Sequence, residues 1–191
     1  MKMIPLAALC LAAACASAPT EHDFTLSVEA PAEALRAMPD VSIAVGAARL
    51  GEIYDRPQLV VRESGNRVQI LEQQRWAEPL KSGIARVVAA NLGRLLGTQH
   101  TTAYPHGEAS KTSYRVALDV QRFDATPGRG VDVDVAWRVT RLPQGAAQEG
   151  RTTTSEPAGA EYEAIVAADS RALATVSRDI AQAIARMQGG G

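Results

Sequence analysis

The chain has 191 residues, with 20 basic and 21 acidic side chains and a net charge of −1. That length suits one domain with a sizeable core, and the balanced charge gives no reason to expect nucleic acid as a partner. Aromatic residues make up only 4%, so the core has to be built mainly from Val, Leu, Ile and Ala.

Lys2 supplies a short positive start, Met3 to Ala14 run almost wholly apolar, and Ala12-Ala13-Ala14-Cys15 closes the run. About 12 apolar residues are too few for a spanning helix, which needs about 20. Residues 1–14 read as a secretory signal peptide whose small residues lead into a cysteine. In bacteria a cysteine at that point receives a diacylglyceryl group on its thiol and becomes the new N-terminus. Cys15 is therefore the expected lipidation site, although Ala12 stands where Leu is usual and Leu11 lies one place earlier. Cleavage near Ala16-Ser17-Ala18, giving a soluble secreted protein, is the alternative. Cys10 follows bulky Leu9 and would leave with the signal. With Cys15 capped, no disulfide, thiol chemistry or Cys-based metal site is available. Each buried methylene contributes about 0.8 kcal/mol, so two or three acyl chains would hold the chain to a bilayer. Ala16 and Ser17, with no Asp directly after the cysteine, point to the outer membrane, with the domain facing the periplasm.

Residues 15–40 read as a lipidated N-terminus and tether, with a short strand candidate at Phe24 to Val28. Residues 41–187 form the domain, and 188–191 a flexible tail. Val41, Ile43 and Val45 alternate with Ser42 and Ala44, a strand signal. Leu59 to Val61 and Val68 to Leu71 flank Ser64-Gly65-Asn66, so 58–72 reads as a hairpin. Leu80, Ile84, Val87, Val88, Leu92, Leu95 and Leu96 then fall at helical spacing. That helix is predicted from near Ala77, with Pro79 in its first turn, to Gly97. Tyr114 to Val120 and Val131 to Val139 alternate strictly, with a turn at Pro127-Gly128-Arg129-Gly130 between them. A turn over Pro143 to Ala147 leads to a polar strand over 148–155. The last element is a helix of about 26 residues, with Tyr162, Val166, Leu173, Val176, Ile180, Ile184 and Met187 along one side. The expected class is α+β (mixed α/β): a single domain whose twisted, largely antiparallel sheet is covered by two main helices.

Chemical motifs are sparse. His22, His100 and His106, the last two near Glu108, lack the spacing of a metal site, so no metal and no cofactor are expected. Asp132 and Asp134 point the same way from one strand; an acid–base pair and a solvated strand face both fit that pattern. Gly128 and Gly130 are too sparse for a phosphate loop, and no Gly-x-Ser-x-Gly elbow occurs.

Two runs carry more information. The first is Tyr54-Asp55-Arg56-Pro57-Gln58; the second is Trp76-Ala77-Glu78-Pro79-Leu80. At this separation, within Leu50 to Leu96, and with Phe24-Thr25-Leu26 upstream, they resemble the PqiC family, auxiliary lipoproteins of ABC-type and MCE-protein transport systems. Ile53-Tyr54 stands where a Tyr-Leu order is common. The resemblance implies a non-catalytic outer-membrane lipoprotein that docks or anchors a periplasm-spanning MCE-domain (PqiB-like) protein in lipid transport. It also makes a homo-oligomeric ring matching the ring of the MCE protein an expectation. Tyr54, Asp55, Arg56, Pro57, Gln58 and Trp76 are the candidate partner or oligomer contacts. For these residues the plainer readings are an internal Asp55–Arg56 pair, an edge strand opened by Pro57, and a hydrophobic staple at Trp76. Trp137 is expected in the core. Two other classes remain: a module holding a lipid in its own cavity, and an envelope hydrolase using Asp132 and Asp134.

Overall fold

The strictest alternations of apolar and polar residues, Tyr114 to Val120 and Val131 to Val139, lie on the two long strands at the centre of the sheet. The computed structural model describes residues 20–29, 35, 37–106, 112–143 and 145–189. The signal segment, Cys15, Glu108, Gly190 and Gly191 lie outside the described residues. In chain order the elements are β1 (His22–Phe24), β2 (Ile43–Val45), β3 (Arg49–Leu50), β4 (Gln58–Ser64), β5 (Arg67–Trp76), α1 (Leu80–Leu96), β6 (Thr101–Ala103), β7 (Tyr114–Thr126), β8 (Gly130–Arg141), β9 (Ala147–Pro157) and α2 (Tyr162–Gly189).

β7 is the spine. One of its edges pairs antiparallel with β8, from Tyr114 opposite Arg141 to Thr126 opposite Gly130, and β8 pairs in turn with β9. The other edge takes three short strands in succession, all parallel: β2 beside Tyr114 to Val116, β3 beside Asp119 and Val120, and β4 at Ala125. β6 lies parallel beyond β2, β5 antiparallel beyond β4, and β1 parallel beyond β5. The class is α+β with one mixed sheet. Its long ladders are antiparallel, as the alternation predicts. The parallel pairs are short; β2 shows its alternation, but the strand beside which each of them lies leaves no trace in the sequence.

A bulge in β7 decides which side chains face the core. The register with β8 slips between Val120 and Arg122, so Gln121 is the extra residue. Before it the even-numbered residues Tyr114, Val116, Leu118 and Val120 are buried; after it the odd-numbered Phe123 and Ala125 are. Asp124 is thereby turned to the face away from the helices.

α1 and α2 pack against each other and cover one face of the sheet. Ile84, Val88, Leu92 and Leu96 of α1, and Ile165, Leu173, Ile180 and Ile184 of α2, are fully buried there. The apolar spacing places the start of α1 near Ala77, but the helix begins at Leu80. The Ala77 N–H instead donates to the Phe24 carbonyl at 2.8 Å, and the Pro79 carbonyl accepts from Ser82 and Gly83. α1 ends where expected, at Gly97, whose φ of 60° is the left-handed cap that glycine adopts without strain.

Trp137 is in the core, 7% exposed. Its indole lies across Gly150, its partner on β9, where a Cβ would overlap the ring. Trp137 Nε1 donates to Thr152 Oγ1 at 3.1 Å, and Thr152 Oγ1 donates to Asp179 Oδ2 of α2 at 2.7 Å. The absent side chain at Gly150 and the Trp137–Thr152 bond join β8 to β9, and the Thr152–Asp179 bond ties β9 to α2.

The segment after β1 packs along α1 instead of continuing as a strand to Val28. Phe24 and Leu26 are buried. Arg86 Nη2 donates to the Leu26 carbonyl at 3.1 Å, and Arg94 Nη1 to the Val28 carbonyl at 3.2 Å.

Candidate functional site

The loop before β4 is folded by its own backbone. The N–H groups of Tyr54 and Asp55 donate to the Gly51 carbonyl at 2.9 and 3.2 Å, and the Arg56 N–H to the Tyr54 carbonyl at 2.8 Å. Pro57 has no N–H to give, but its carbonyl accepts the Trp76 N–H at 2.7 Å. That one bond brings the two sequence runs together. Between them lies an open groove with about 340 Å³ of space for a water-sized sphere. Asp55, Arg56 and Pro57 form one wall; Trp76, Ala77, Glu78, Pro79 and Leu80 form the other.

The groove has an apolar floor and a charged rim. Asp55 is engaged by Lys81 Nζ at 3.4 Å, and Glu78 Oε1 accepts from Arg86 at 2.6 and 3.0 Å. Both cations belong to the first turns of α1. Asp55 and Arg56 do not pair with each other; the plainer reading of that dipeptide is corrected by the Lys81 contact. Arg56 Nε is buried with no hydrogen-bond partner among the described residues. A buried donor left unpaired is costly.

Tyr54 and Gln58 lie elsewhere. Tyr54 points to the back of the loop, where its hydroxyl donates to Asp124 Oδ1 at 2.7 Å and its ring meets Phe123 edge-on at 6.5 Å. Burial is the main reason its phenol is pushed up. Asp124 also accepts from Arg62, through Nη2 at 2.9 and 2.8 Å and Nε at 3.2 Å, with Arg122 3.5 Å away. Burial alone would raise the Asp124 carboxyl; the Arg62 and Tyr54 hydrogen bonds and the nearby guanidinium charges outweigh it and hold the group below the usual carboxylate range. This cluster pins the groove loop to β7. Gln58 Nε2 donates to Glu72 at 3.1 Å across the hairpin.

Trp76 and Leu80 also border a small, partly open pocket of about 20 Å³, room for roughly one water molecule. Asp169 of α2 faces it, 2% exposed, its Oδ1 without a partner, and burial pushes its carboxyl well above the usual range. Asp169 lies three residues after Val166 and four before Leu173, on the apolar stripe of α2. That placement was the available signal for it, and periodicity reasoning passed it over. Asp124 carried no local signal, because its exposure depends on the bulge at Gln121.

The other candidates are occupied. Arg151 grips Asp134, through Nε at 2.7 Å, and holds its carboxyl below the usual range. Ser155 Oγ donates to Asp132 at 2.5 Å. These are cross-strand ion pairs and hydrogen bonds on the outer face of the β8–β9 ladder. A general acid at Asp134 would need its pKa moved the other way. His22, His100 and His106 are exposed and dispersed, and among the described residues no group of three His, Cys, Asp or Glu side chains could hold a metal ion. No described helix is long and apolar enough to cross a membrane.

Comparisons with known proteins agree with this architecture. The family described as ABC-type transport auxiliary lipoprotein component matches residues 24–181, which include every residue of the groove. One solved structure, of an uncharacterized protein, is 18% identical over 87% of this chain and 99% of its own, with a TM-score of 0.71. A second, a Xanthomonas campestris protein of the family DUF330, is 17% identical over 83% of this chain and 92% of its own, with a TM-score of 0.66. At these identities the likeness is one of fold. No curated protein matches the chain.

Proposed function

The chain belongs to the ABC-type transport auxiliary lipoprotein family, and from that premise we propose that it is an outer-membrane lipoprotein that docks the periplasmic component of a lipid transporter. In this reading the signal 1–14 is removed, Cys15 carries the acyl chains, and the domain faces the periplasm. Its partner is a periplasm-spanning MCE-domain protein, and its role is to hold the far end of that conduit without catalysis. A lipid monomer crossing water exposes methylenes at about 0.8 kcal/mol each, so a continuous path fixed at both membranes has a clear physical use.

The observation that carries the reading is the convergence of the two runs on one open groove, where a charged rim surrounds an apolar floor. Such a concave patch suits an interaction site. The rival lipid-binding module needs an enclosed space for an acyl chain, whereas the pocket beside Trp76 has room for about 20 Å³ and the groove of about 340 Å³ is open to solvent. The rival hydrolase needs Asp132 and Asp134 free, and both are engaged.

Purification of the lipidated protein from envelopes tests the proposal. The expected result is palmitate on Cys15, recovery in the outer-membrane fraction, and co-purification of an MCE-domain protein. Unchanged labelling and fractionation of Cys15→Ser, or absence of any transport component, contradicts it. The same preparation tests the ring: light scattering should give a multimer with the partner present, and a monomer with and without the partner removes that part.

A further inference from the structure

Within that docking role, we infer that the groove between Pro57 and Trp76 takes an extended segment of the partner transport protein that carries an acidic side chain, its carboxylate seated on Arg56 and a neighbouring apolar side chain against Trp76. The inference rests on the docking reading and adds the chemistry of the docked segment.

Charge complementarity decides the occupant. Two of the rim acids are already matched, Asp55 by Lys81 and Glu78 by Arg86. Arg56 is left over, its Nε buried and unpartnered. With Nε enclosed, the terminal N–H groups of the guanidinium are the donors left to meet a carboxylate, in charge-assisted hydrogen bonds. The N-terminus of α1 adds to the same sign: Pro79 gives it no side-chain cap, and its first turn holds no acidic residue. The groove therefore carries a positive excess, from Arg56 on one wall and the uncapped start of α1 on the other.

Shape argues for an extended chain. The groove is open to solvent and bordered by Pro57, Pro79 and Trp76. Rigid proline and aromatic walls dock extended segments with little loss of their own freedom. The loop that carries Arg56 is held from behind by the Tyr54–Asp124 bond, so the site is formed before the segment arrives.

The test uses the full lipidated chain in cells, with p-benzoylphenylalanine replacing Pro57. Irradiation followed by mass spectrometry identifies the captured segment, which is then synthesised as a peptide. Its binding to purified wild-type, Arg56→Gln and Arg56→Lys protein is followed by fluorescence anisotropy. The expected segment carries Asp or Glu beside an apolar residue. Arg56→Gln should weaken it by about tenfold or more, Arg56→Lys should weaken it as well, and neutralising the peptide's acid should remove the difference between wild type and Arg56→Gln. Thermal melting of each variant confirms that it is folded. Capture of a transport component through a segment without an acid, or binding of Arg56→Gln within twofold of wild type, overturns the inference and leaves the docking role standing. Capture of phospholipid or of a second copy of this chain alone overturns it too. Failure of any transport component to co-purify removes the docking role itself.

Discussion

Replacing Asp124 by Asn keeps the shape of the side chain and removes its charge. The carboxylate is 10% exposed and accepts from the Tyr54 hydroxyl and from Arg62 at three short contacts. A hydrogen bond to a charged group contributes about 1.5–3 kcal/mol net, and Arg62, itself 33% exposed, brings the solvent-screened end of that range. The expected loss is about 2–3 kcal/mol. For a domain of this size about 2–4 °C of melting temperature accompanies each kcal/mol, so Asp124→Asn should melt roughly 5–10 °C lower at pH 7. The acid side gives an internal control. Because the folded carboxyl is held low, its stabilisation is complete above the unfolded pKa, about 3.9, and is lost as pH falls through the folded value. The gap between wild type and variant, followed by circular dichroism, should therefore close in strong acid. Equal melting at pH 7, or a gap that persists unchanged at the acid end, would refute the assignment of Asp124 as the pin of the groove loop.

Gly150→Ala should destabilise by about 1–3 kcal/mol, because the Trp137 indole has to leave its place and its bond to Thr152; denaturant titration and near-ultraviolet dichroism check this, and an unchanged aromatic signal argues against it. Asp169 behaves oppositely to Asp124. Its folded carboxyl is raised, so its contribution is greatest below the unfolded pKa and declines, by about 1.4 kcal/mol per pH unit, as pH rises toward the folded value. Asp169→Asn should gain on wild type between about pH 4 and neutrality, and parallel stability–pH profiles would contradict that. Asp132→Asn combined with Asp134→Asn should leave envelope function intact and cost about 1 kcal/mol per exposed pair or less. Loss of function in a folded, membrane-bound double variant would restore a chemical role to that face.

Much of the fold was legible where one residue type repeated at a fixed period. Val131, Val133, Val135, Trp137 and Val139 alternate, and all five are buried. The 58–72 hairpin and both helices follow from the same kind of signal. What escaped was non-local. β3 has two residues and β6 three, too few to show a period, and their places are set by β7 and β2. The bulge at Gln121 inverts the alternation partway along β7, so Phe123 and Asp124 exchange the faces that a continued pattern would assign. The start of α1 lies later because Pro79 stands at its cap with an extended ψ of 125°, after Ala77 has paired strand-fashion with Phe24, 53 residues away in sequence. The groove shows both sides of this. Its residues stand in two contiguous runs that drew notice by resemblance, but their meeting depends on the Trp76–Pro57 backbone bond. No local pattern announces that Arg56 is left without a partner while Lys81 takes Asp55.

The most direct test of the docking account compares two faces of one molecule. The purified periplasmic MCE-domain partner is titrated against wild type, against Arg56→Gln, and against the Asp132→Asn, Asp134→Asn pair. Losing a charge-assisted contact of this arginine should cost about 1.4 kcal/mol or more, roughly tenfold in affinity, so the groove variant should bind about tenfold more weakly or worse while the sheet-face variant matches wild type. Undiminished binding to the groove variant, with loss at the sheet face, would place the partner on the wrong side of this molecule and contradict the account.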